Sequence, residues 1–346
     1  MNISIVTPHA VYNYGAVLQA HGLYNYLTEQ GHEVYMQDFP PHKGKPSKSL
    51  KGRVYGVLSA FFGRIHRKKL GQAAKSFDEF ISGFALTTAV DMPMYIVGSD
   101  QVWNPANLDE HFSLRFASEK SKKISYAASI GVNKIPYEVE NEFREMLSRL
   151  QSISVREEQA KNEVVRISSR ECSVDCDPVF LLSKEAWQLR EKPMSIKEPY
   201  VLLYLLHVPK NIGKIVRKVK KQYGCKALLI DRTGFLHHFV RGVKPIYNAG
   251  PQEFLWLIHH AQAVLTSSFH GTAFSIIYQK QFLSIVNPAS PSRIKHLLDT
   301  IGLQKRGIYS EDNLDFSEID YTQAGNKLKD YIDKSKEYLR VAIGEN

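Results

Sequence analysis

The sequence is poor in cysteine and has no long apolar segment. These absences argue against a disulfide-rich protein and against a membrane-spanning one. Its three cysteines, Cys172, Cys176 and Cys225, cannot make a disulfide framework, and they lack the paired spacing of a zinc site. We therefore expect free, buried thiols and no metal. No apolar run approaches the roughly 20 residues of a membrane-spanning helix. The first residues also lack the basic and apolar regions of a signal peptide, which predicts a cytoplasmic protein.

Acidic residues are missing from one long stretch, between Asp38 and Asp78, although 35 occur in the chain. Ten of the 45 lysines and arginines lie in this stretch, and residues 54–62 within it are apolar. Basic flanks around a short apolar centre are typical of segments that lie on anionic membranes, so we predict membrane contact through residues 43–75. A solvated basic loop is the alternative. No motif for binding bases occurs, so we do not expect nucleic acid as a partner.

Strand-like apolar runs alternate with amphipathic helical patterns along the whole chain, which has no repeat or low-complexity tract. This order predicts an α/β fold with two doubly wound Rossmann-like domains that face a cleft. We place them at residues 1–190, with a basic insertion at 39–77, and at residues 198–346, with the polar segment 189–199 as linker. A terminal helix at 328–341 is expected to pack back on the first domain.

Polar side chains follow the apolar run at 263–265, where the sequence continues through His270 and Gly271. The pattern predicts a strand, a tight turn and a helix from Thr272 to Tyr278. His270 then lies at the carboxyl edge of a parallel sheet, beside helix N–H groups that favour an anion. We predict an anion site that includes Ser268 and Gly271, with His270 as the titratable reaction centre. A histidine that only caps the helix is the alternative.

Two charged residues follow predicted strands in the first half of the chain, where ligands bind in open α/β sheets. Asp100 follows the strand at 94–97, and Arg156 follows a strand at 153–155. A guanidinium in this position can bind a carboxylate or phosphate through two parallel hydrogen bonds. The alternative for Arg156 is an exposed ion pair with a neighbouring glutamate.

Aromatic residues near the same strand ends are candidates for contact with a ligand. The first loop holds Tyr12, Asn13 and Tyr14 and has one glycine, so it is not the three-glycine phosphate fingerprint of nucleotide-binding folds. Trp103 follows the strand at 94–97. We predict ligand binding by Asn13, Tyr14 and Trp103, with core packing as the alternative for at least one of the rings.

Several motifs that recur in the same order along the whole chain resemble those of the polysaccharide pyruvyl transferase family. They are Asn13-Tyr14-Gly15, Val97-Gly98-Ser99-Asp100, Lys123-Ile124-Ser125-Tyr126, Ser154-Val155-Arg156-Glu157, Asp177-Pro178 and Ser267-Ser268-Phe269-His270-Gly271-Thr272. The resemblance implies a GT-B-like fold and transfer of a carboxyethylidene group from phosphoenolpyruvate, as co-substrate, to two hydroxyls of a sugar. The acceptor would belong to a polysaccharide or a lipid-linked oligosaccharide precursor at the inner face of the membrane. Asn13, Tyr14 and Trp103 are then expected to bind this acceptor, with the rings stacking on a sugar face. No further cofactor is implied.

The resemblance also assigns roles to single residues. The essential histidine of the family corresponds to His270, its donor-binding arginine to Arg156 and its acidic residue to Asp100. Many members carry an arginine where this chain has Ser268. A basic residue elsewhere is then expected to replace it, and the candidates are Arg156, Lys123, Arg293 and Lys295.

Two other functions fit the same sequence pattern. The first is a glycosyltransferase of the same fold that uses a nucleotide-sugar donor, although we cannot place its base pocket. The second is a carbohydrate-binding protein without catalytic activity.

Overall fold

The computed structural model describes residues 1–39, 67–108, 110–287 and 292–344. Most of the basic stretch predicted to contact a membrane, residues 43–66, lies outside the described residues. Its last part, from Arg67 to Lys75, belongs to helix α2. None of the helices in the described ranges combines the length and the apolar composition that a membrane span requires.

The first half of the chain forms a parallel sheet. Its strands are β1 (Asn2–Val6), β2 (Glu33–Gln37), β3 (Leu86–Thr87), β4 (Met94–Val97) and β5 (Lys122–Ser125), followed by the short pair β6 (Ser154–Val155) and β7 (Ser173–Val174). The order is β3-β2-β1-β4-β5, and single bridges at Ser152 and Val155 attach β6 to the sheet. The order reverses between β1 and β4, so loops at the carboxyl ends of both strands meet there.

The second half repeats this design. Its strands are β8 (Tyr200–Tyr204), β9 (Lys226–Ile230), β10 (Lys244–Ile246), β11 (Ala263–Thr266), β12 (Gln281–Ile285) and β13 (Gly307–Ile308). They are all parallel, in the order β10-β9-β8-β11-β12-β13. All residues of β8 and β11 are buried, as expected for strands covered by helices on both faces. The predicted α/β fold with two Rossmann-like domains is confirmed.

Helices cover both sheets. The first half contributes α1 (Tyr14–Glu29), α2 (Arg67–Ile81), α3 (Glu140–Ser148), α4 (Glu158–Ser168) and α5 (Lys184–Gln188). The second half contributes α6 (Ile212–Tyr223), α7 (Pro251–His259), α8 (Phe269–Ile277), α9 (Ser292–Ile301) and α10 (Tyr321–Ile343). Gly224 follows α6 with a φ of 60°, the left-handed conformation in which glycine ends a helix at little cost.

The two halves share one continuous hydrophobic core, which includes Ile3 and Leu23 from the first and Leu202 and Phe274 from the second. The last helix, α10, follows the second sheet in the chain but contacts the first half. The hydroxyl of Tyr338 donates to the carbonyl of Ser125 at 2.9 Å. The N–H of Cys176 donates to Ser335 Oγ, also at 2.9 Å. This helix begins at Tyr321, one to two turns before the predicted start at 328.

Candidate active site

Helix α8 begins earlier than predicted, and this changes how the anion site is built. Ser268 is the residue before the helix, and its Oγ accepts from the N–H of Gly271 at 3.3 Å. His270 therefore lies inside the first turn and not in a preceding loop. The cap uses the Gly271 N–H and one lone pair of the Ser268 oxygen, while the Ser268 hydroxyl can still donate a hydrogen bond. Binding of the donor substrate by Ser268 and Gly271 stays a prediction. At Gly271 a Cβ would lie 2.3 Å from Thr266 Oγ1, which makes this glycine a packing requirement.

The imidazole of His270 is buried between the two halves of the molecule. Its Nε2 lies 3.4 Å from Asp177 Oδ2, and it makes no hydrogen bond in the described part of the chain. Its Nδ1 faces the start of α1 so closely that a Cβ on Gly15 would lie 2.0 Å away. The ring is thus fixed by a carboxylate on one edge and by a helix terminus on the other, which is more than a capping role requires.

Asp177 is the residue on which the site converges. Its Oδ2 accepts from Arg156 Nη1 at 2.5 Å and from Ser99 Oγ at 3.2 Å, and the same oxygen faces His270. Burial by itself raises the pKa of Asp177, but the charges of His270 and Arg156 outweigh it and hold this pKa well below its ordinary range. Asp177 is therefore a fixed negative charge that aligns a guanidinium and an imidazole from opposite halves.

The Arg156 guanidinium is 2% exposed, which excludes the surface ion pair considered as the alternative. Its Nη2 lies 3.8 Å from Asp100 Oδ1, and its Nε lies 3.9 Å from Glu157 Oε2. Neither nitrogen makes a hydrogen bond among the described residues. The guanidinium also lies over the Phe269 ring, 4.4 Å from its centre, a favourable cation–π contact. Two buried guanidinium nitrogens of Arg156 thus lack hydrogen-bond partners, and their N–H groups can donate to a bound anion.

The two remaining carboxylates of this site differ in environment. Glu157 is buried, and burial raises its pKa although Arg156 opposes this shift. It accepts a hydrogen bond from Ser129 Oγ at 2.7 Å. Asp100 has a φ of 64° at the turn after β4, and its side chain is 19% exposed. Of the two, only Asp100 is open to a substrate. We call Asp100, Arg156, Glu157, Asp177 and His270 the charged cluster.

Of the four basic residues that were expected to replace an arginine at position 268, only two lie at the charged cluster. Lys123 lies in the first sheet, and its Nζ donates to the Ser118 carbonyl at 2.6 Å. Lys295 pairs with Asp299 on the surface of α9. Arg293, at the start of α9, lies near the charged cluster, where the amide oxygen of Gln101 can accept from its two Nη atoms at 3.0 and 3.2 Å. Arg156 and Arg293 therefore remain.

A cavity of about 660 Å³ lies at the carboxyl ends of β8 and β9, where the two halves meet. Asn13 and Tyr14 line it from the first half, and Tyr204, Arg232 and Phe239 line it from the second. The cavity adjoins the charged cluster, because the residue after Tyr14 is the glycine that contacts the imidazole.

The predicted acceptor residues differ in what they present to this cavity. Asn13 is exposed but also accepts from the Ala16 N–H at 3.3 Å, which starts α1. Tyr14 is 1% exposed, stacks on Phe254 and donates to the Ala249 carbonyl, so its ring belongs to the interface core. Trp103 is fully buried in the core of the first half, and the prediction that it stacks on a sugar is wrong.

The described residues hold one group with the spacing of metal ligands: Glu191, His259 and His260, whose ligand atoms lie within 4.8 Å of one another. His259 ends helix α7, which leads into the amino end of β11. Because His270 follows the carboxyl end of β11, this group lies at the opposite edge of the sheet. It does not belong to the charged cluster.

Comparison with protein families decides the relationship. The family model of polysaccharide pyruvyl transferase matches residues 13–288, which include every member of the charged cluster. The chain belongs to the polysaccharide pyruvyl transferase family. A sequence comparison with curated proteins gives no significant match.

Solved structures of other proteins share the fold of this pyruvyl transferase family member. A glycosyltransferase from Rickettsia africae superposes with a TM-score of 0.56 at 11% identity, covering 100% of this chain and 99% of that one. A UDP-GlcNAc 2-epimerase from Neisseria meningitidis, bound to UDP-GlcNAc, gives 0.49 at 12% identity, with 99% and 94% covered. At these identities the likeness concerns the fold alone, which is GT-B-like.

Sequence reasoning missed the central residue of this family member's site. Asp177-Pro178 was recognised as a motif, but no role was assigned to Asp177. The available signal was the buried environment that the apolar residues Pro178, Val179 and Phe180 predict for the preceding carboxylate. The three-way contact of Asp177 with Ser99, Arg156 and His270 depends on tertiary packing that the sequence does not display.

Proposed function

We propose that this pyruvyl transferase family member moves a carboxyethylidene group from phosphoenolpyruvate to two hydroxyls of one sugar. One observation supports this most: Arg156 and His270, from opposite halves, converge on the same oxygen of Asp177. Phosphoenolpyruvate carries a carboxylate and a phosphate, and guanidinium groups and helix N-termini are the usual ligands for both.

The proposed reaction has three steps. A proton is added to the methylene carbon of phosphoenolpyruvate, and a sugar hydroxyl forms a bond to the neighbouring carbon. The second hydroxyl then attacks that carbon, the bond to the phosphate oxygen breaks, and phosphate leaves. Of the two hydroxyl protons, one balances the proton of the new methyl group and the other leaves with phosphate. The steps use no cofactor beyond this co-substrate.

Each residue of the charged cluster has a distinct place in this proposal. His270 acts as the general acid or holds the leaving phosphate, since an imidazole exchanges protons near neutral pH. Arg156 holds the donor carboxylate or phosphate through the Nε and Nη2 atoms that lack hydrogen bonds. Asp100, as the partly exposed carboxylate, orients or deprotonates the acceptor hydroxyl. Asp177 maintains the alignment of Arg156 and His270.

The acceptor is proposed to occupy the cavity beside the cluster. Tyr12, which is 51% exposed, and Asn13 line it from one side, and Phe239, 57% exposed, lines it from the other. Exposed rings at a cavity rim suit the apolar face of a sugar. We propose a lipid-linked precursor at the inner face of the membrane, reached by a cytoplasmic protein whose basic stretch contacts anionic lipid.

The test measures phosphate release from phosphoenolpyruvate with a panel of lipid-linked oligosaccharides. Replacing His270 with alanine should lower the rate about 10²- to 10⁴-fold, the usual contribution of a general acid. His260→Ala is the matched control, because this exposed histidine lies at the other edge of the sheet. Near-full turnover of H270A would remove the assigned role of His270. Stabilisation by nucleotide sugars but not by phosphoenolpyruvate would favour a glycosyltransferase, and sugar binding without phosphate release a binding protein.

A further inference from the structure

Arg293 lies beside the charged cluster but makes no ion pair within 4 Å among the described residues, although Glu157, Asp100 and Asp177 act on it from a longer distance. It is the second residue of helix α9 in the second half and is partly buried. The hydrogen-bond partner that the structure offers it is the neutral amide of Gln101, at 3.0 and 3.2 Å. By contrast, Arg156 is surrounded by Asp177, Asp100 and Glu157 at 2.5 to 3.9 Å.

The two guanidinium groups are close enough to repel each other. Burial and the like charge of Arg156 lower the pKa of Arg293. Placing like charges together in a partly buried site costs free energy, and a buried charge is normally paired or hydrogen-bonded to a ligand. An arrangement of this kind becomes favourable when an anion binds between the two groups.

Buried nitrogens without hydrogen-bond partners also indicate an anion site between the two halves. Arg156 Nε and Nη2 are buried without hydrogen-bond partners, and so is His270 Nε2. Arg293 approaches the cluster from the second half and Arg156 from the first, and Gln101, after β4, contacts Arg293 across the boundary. An organic anion with two charged ends can therefore contact both halves at once.

We infer that Arg293 is a second anion-binding residue, which together with Arg156 holds a carboxylate or phosphate group between the two halves of the molecule. This inference rests on the proposed function only for the identity of the anion. In that reaction Arg293 and Arg156 hold the two charged ends of phosphoenolpyruvate. Inorganic phosphate is the simplest ligand with the same chemistry.

The experiment measures the binding of phosphoenolpyruvate and, separately, of inorganic phosphate by calorimetry at low ionic strength. The variants are Arg293→Gln, which removes the charge, and Arg293→Lys, which keeps it. Arg217→Gln is the matched control, because Arg217 is an exposed arginine on α6 of the same half. We expect R293Q to weaken binding about 10- to 100-fold, as for loss of a charge-assisted hydrogen bond. R293K should weaken it less, and R217Q should bind like the wild type.

The outcomes separate this inference from the proposed donor. If wild type and R293Q bind both anions equally well, Arg293 is not an anion ligand, while phosphoenolpyruvate remains the donor. If phosphate binding depends on Arg293 but phosphoenolpyruvate does not bind, the anion site stands and the proposed donor is wrong. If the wild type binds neither anion, both are wrong. Circular dichroism of each variant distinguishes loss of the ligand contact from loss of the fold.

Discussion

At the scale of single residues, a carboxylate organises this site. Asp177 is fully buried and receives a guanidinium, a hydroxyl and an imidazole on one oxygen, while its other oxygen accepts from the Val179 N–H at 3.1 Å. A buried carboxylate is tolerable only because these partners replace its hydration. The same contacts place Arg156 and His270 at a defined separation before any substrate arrives, which is the preorganisation that electrostatic catalysis requires.

Replacing Asp177 with asparagine should therefore destabilise the protein strongly. The substitution keeps the size of the side chain but leaves the buried Arg156 with weakened pairing, and breaking a buried ion pair from one side costs about 3–5 kcal/mol. The control is Asp333→Asn, because Asp333 pairs with Lys329 on the surface at 2.7 Å and such pairs contribute about 0.5 kcal/mol or less. Urea unfolding of the three proteins at pH 7 checks the difference.

The stability difference between wild type and D177N should also depend on pH, in a direction that follows from the pKa shift of Asp177. The folded-state pKa of Asp177 lies below its unfolded value, which is about 3.9. Its stabilisation is therefore complete above that unfolded value and is lost as pH falls towards the folded one. The stability gap between wild type and D177N should narrow as the pH falls below about 4. A gap that stays constant down to pH 3 would contradict the assignment.

At the scale of elements, the approach of α1 to α8 controls the imidazole. Gly15 lies in the first turn of α1, and a Cβ there would overlap His270 Nδ1 at 2.0 Å. Gly15→Ala should displace the ring and lower phosphate release by about 10²-fold, the effect of a roughly 1 Å misplacement. Gly213→Ala is the control, since a Cβ on Gly213 in α6 meets nothing within 4 Å. That change should stabilise the helix by up to about 1 kcal/mol and leave activity unchanged.

Prediction from sequence worked where local patterns determine the element. The apolar runs at β4 and β11 end within one residue of their predicted limits, because buried parallel strands are continuous apolar runs. The start of α8 was placed three residues late, since the capping role of Ser268 was not recognised. The edge strands β3, β7, β10 and β13 were not predicted. With two or three residues each, they carry no periodicity to detect.

At the scale of the whole molecule, the candidate site exists because two sheets present their carboxyl edges to each other. That arrangement follows from the alternation of strands and helices, and with it the convergence of Asp100, Arg156 and His270 was predictable. The sequence did not predict which aromatic rings are exposed at the interface between the two halves. Trp103 and Tyr14 satisfy the same sequence criterion as Tyr12, yet only tertiary packing decides that the first two are buried.

The net charge of the whole molecule is +10, and two separate basic segments contribute to it. Membrane binding can therefore be tested for each segment by itself. The basic stretch at 43–75 has no acidic residue, whereas helix α6 is a second basic segment of different character, with lysines that contact Glu311. A basic residue near an anionic membrane contributes about 1 kcal/mol to binding, and this contribution decreases within a Debye length. If the basic stretch contacts the membrane directly, only its charges should matter for binding. If net charge drives binding, the charges of α6 should matter equally.

We expect flotation with vesicles that contain phosphatidylserine at low salt, and none with phosphatidylcholine alone. Changing four lysines of the basic stretch to glutamine should abolish it; they are Lys43, Lys45, Lys48 and Lys51. The control removes the same number of charges from α6, at Arg217, Lys218, Lys220 and Lys221, and should float like the wild type. Equal loss in both variants would show that net charge alone drives binding. No flotation of the wild type would remove membrane contact through residues 43–75, and the acceptor would then have to reach the cavity from solution.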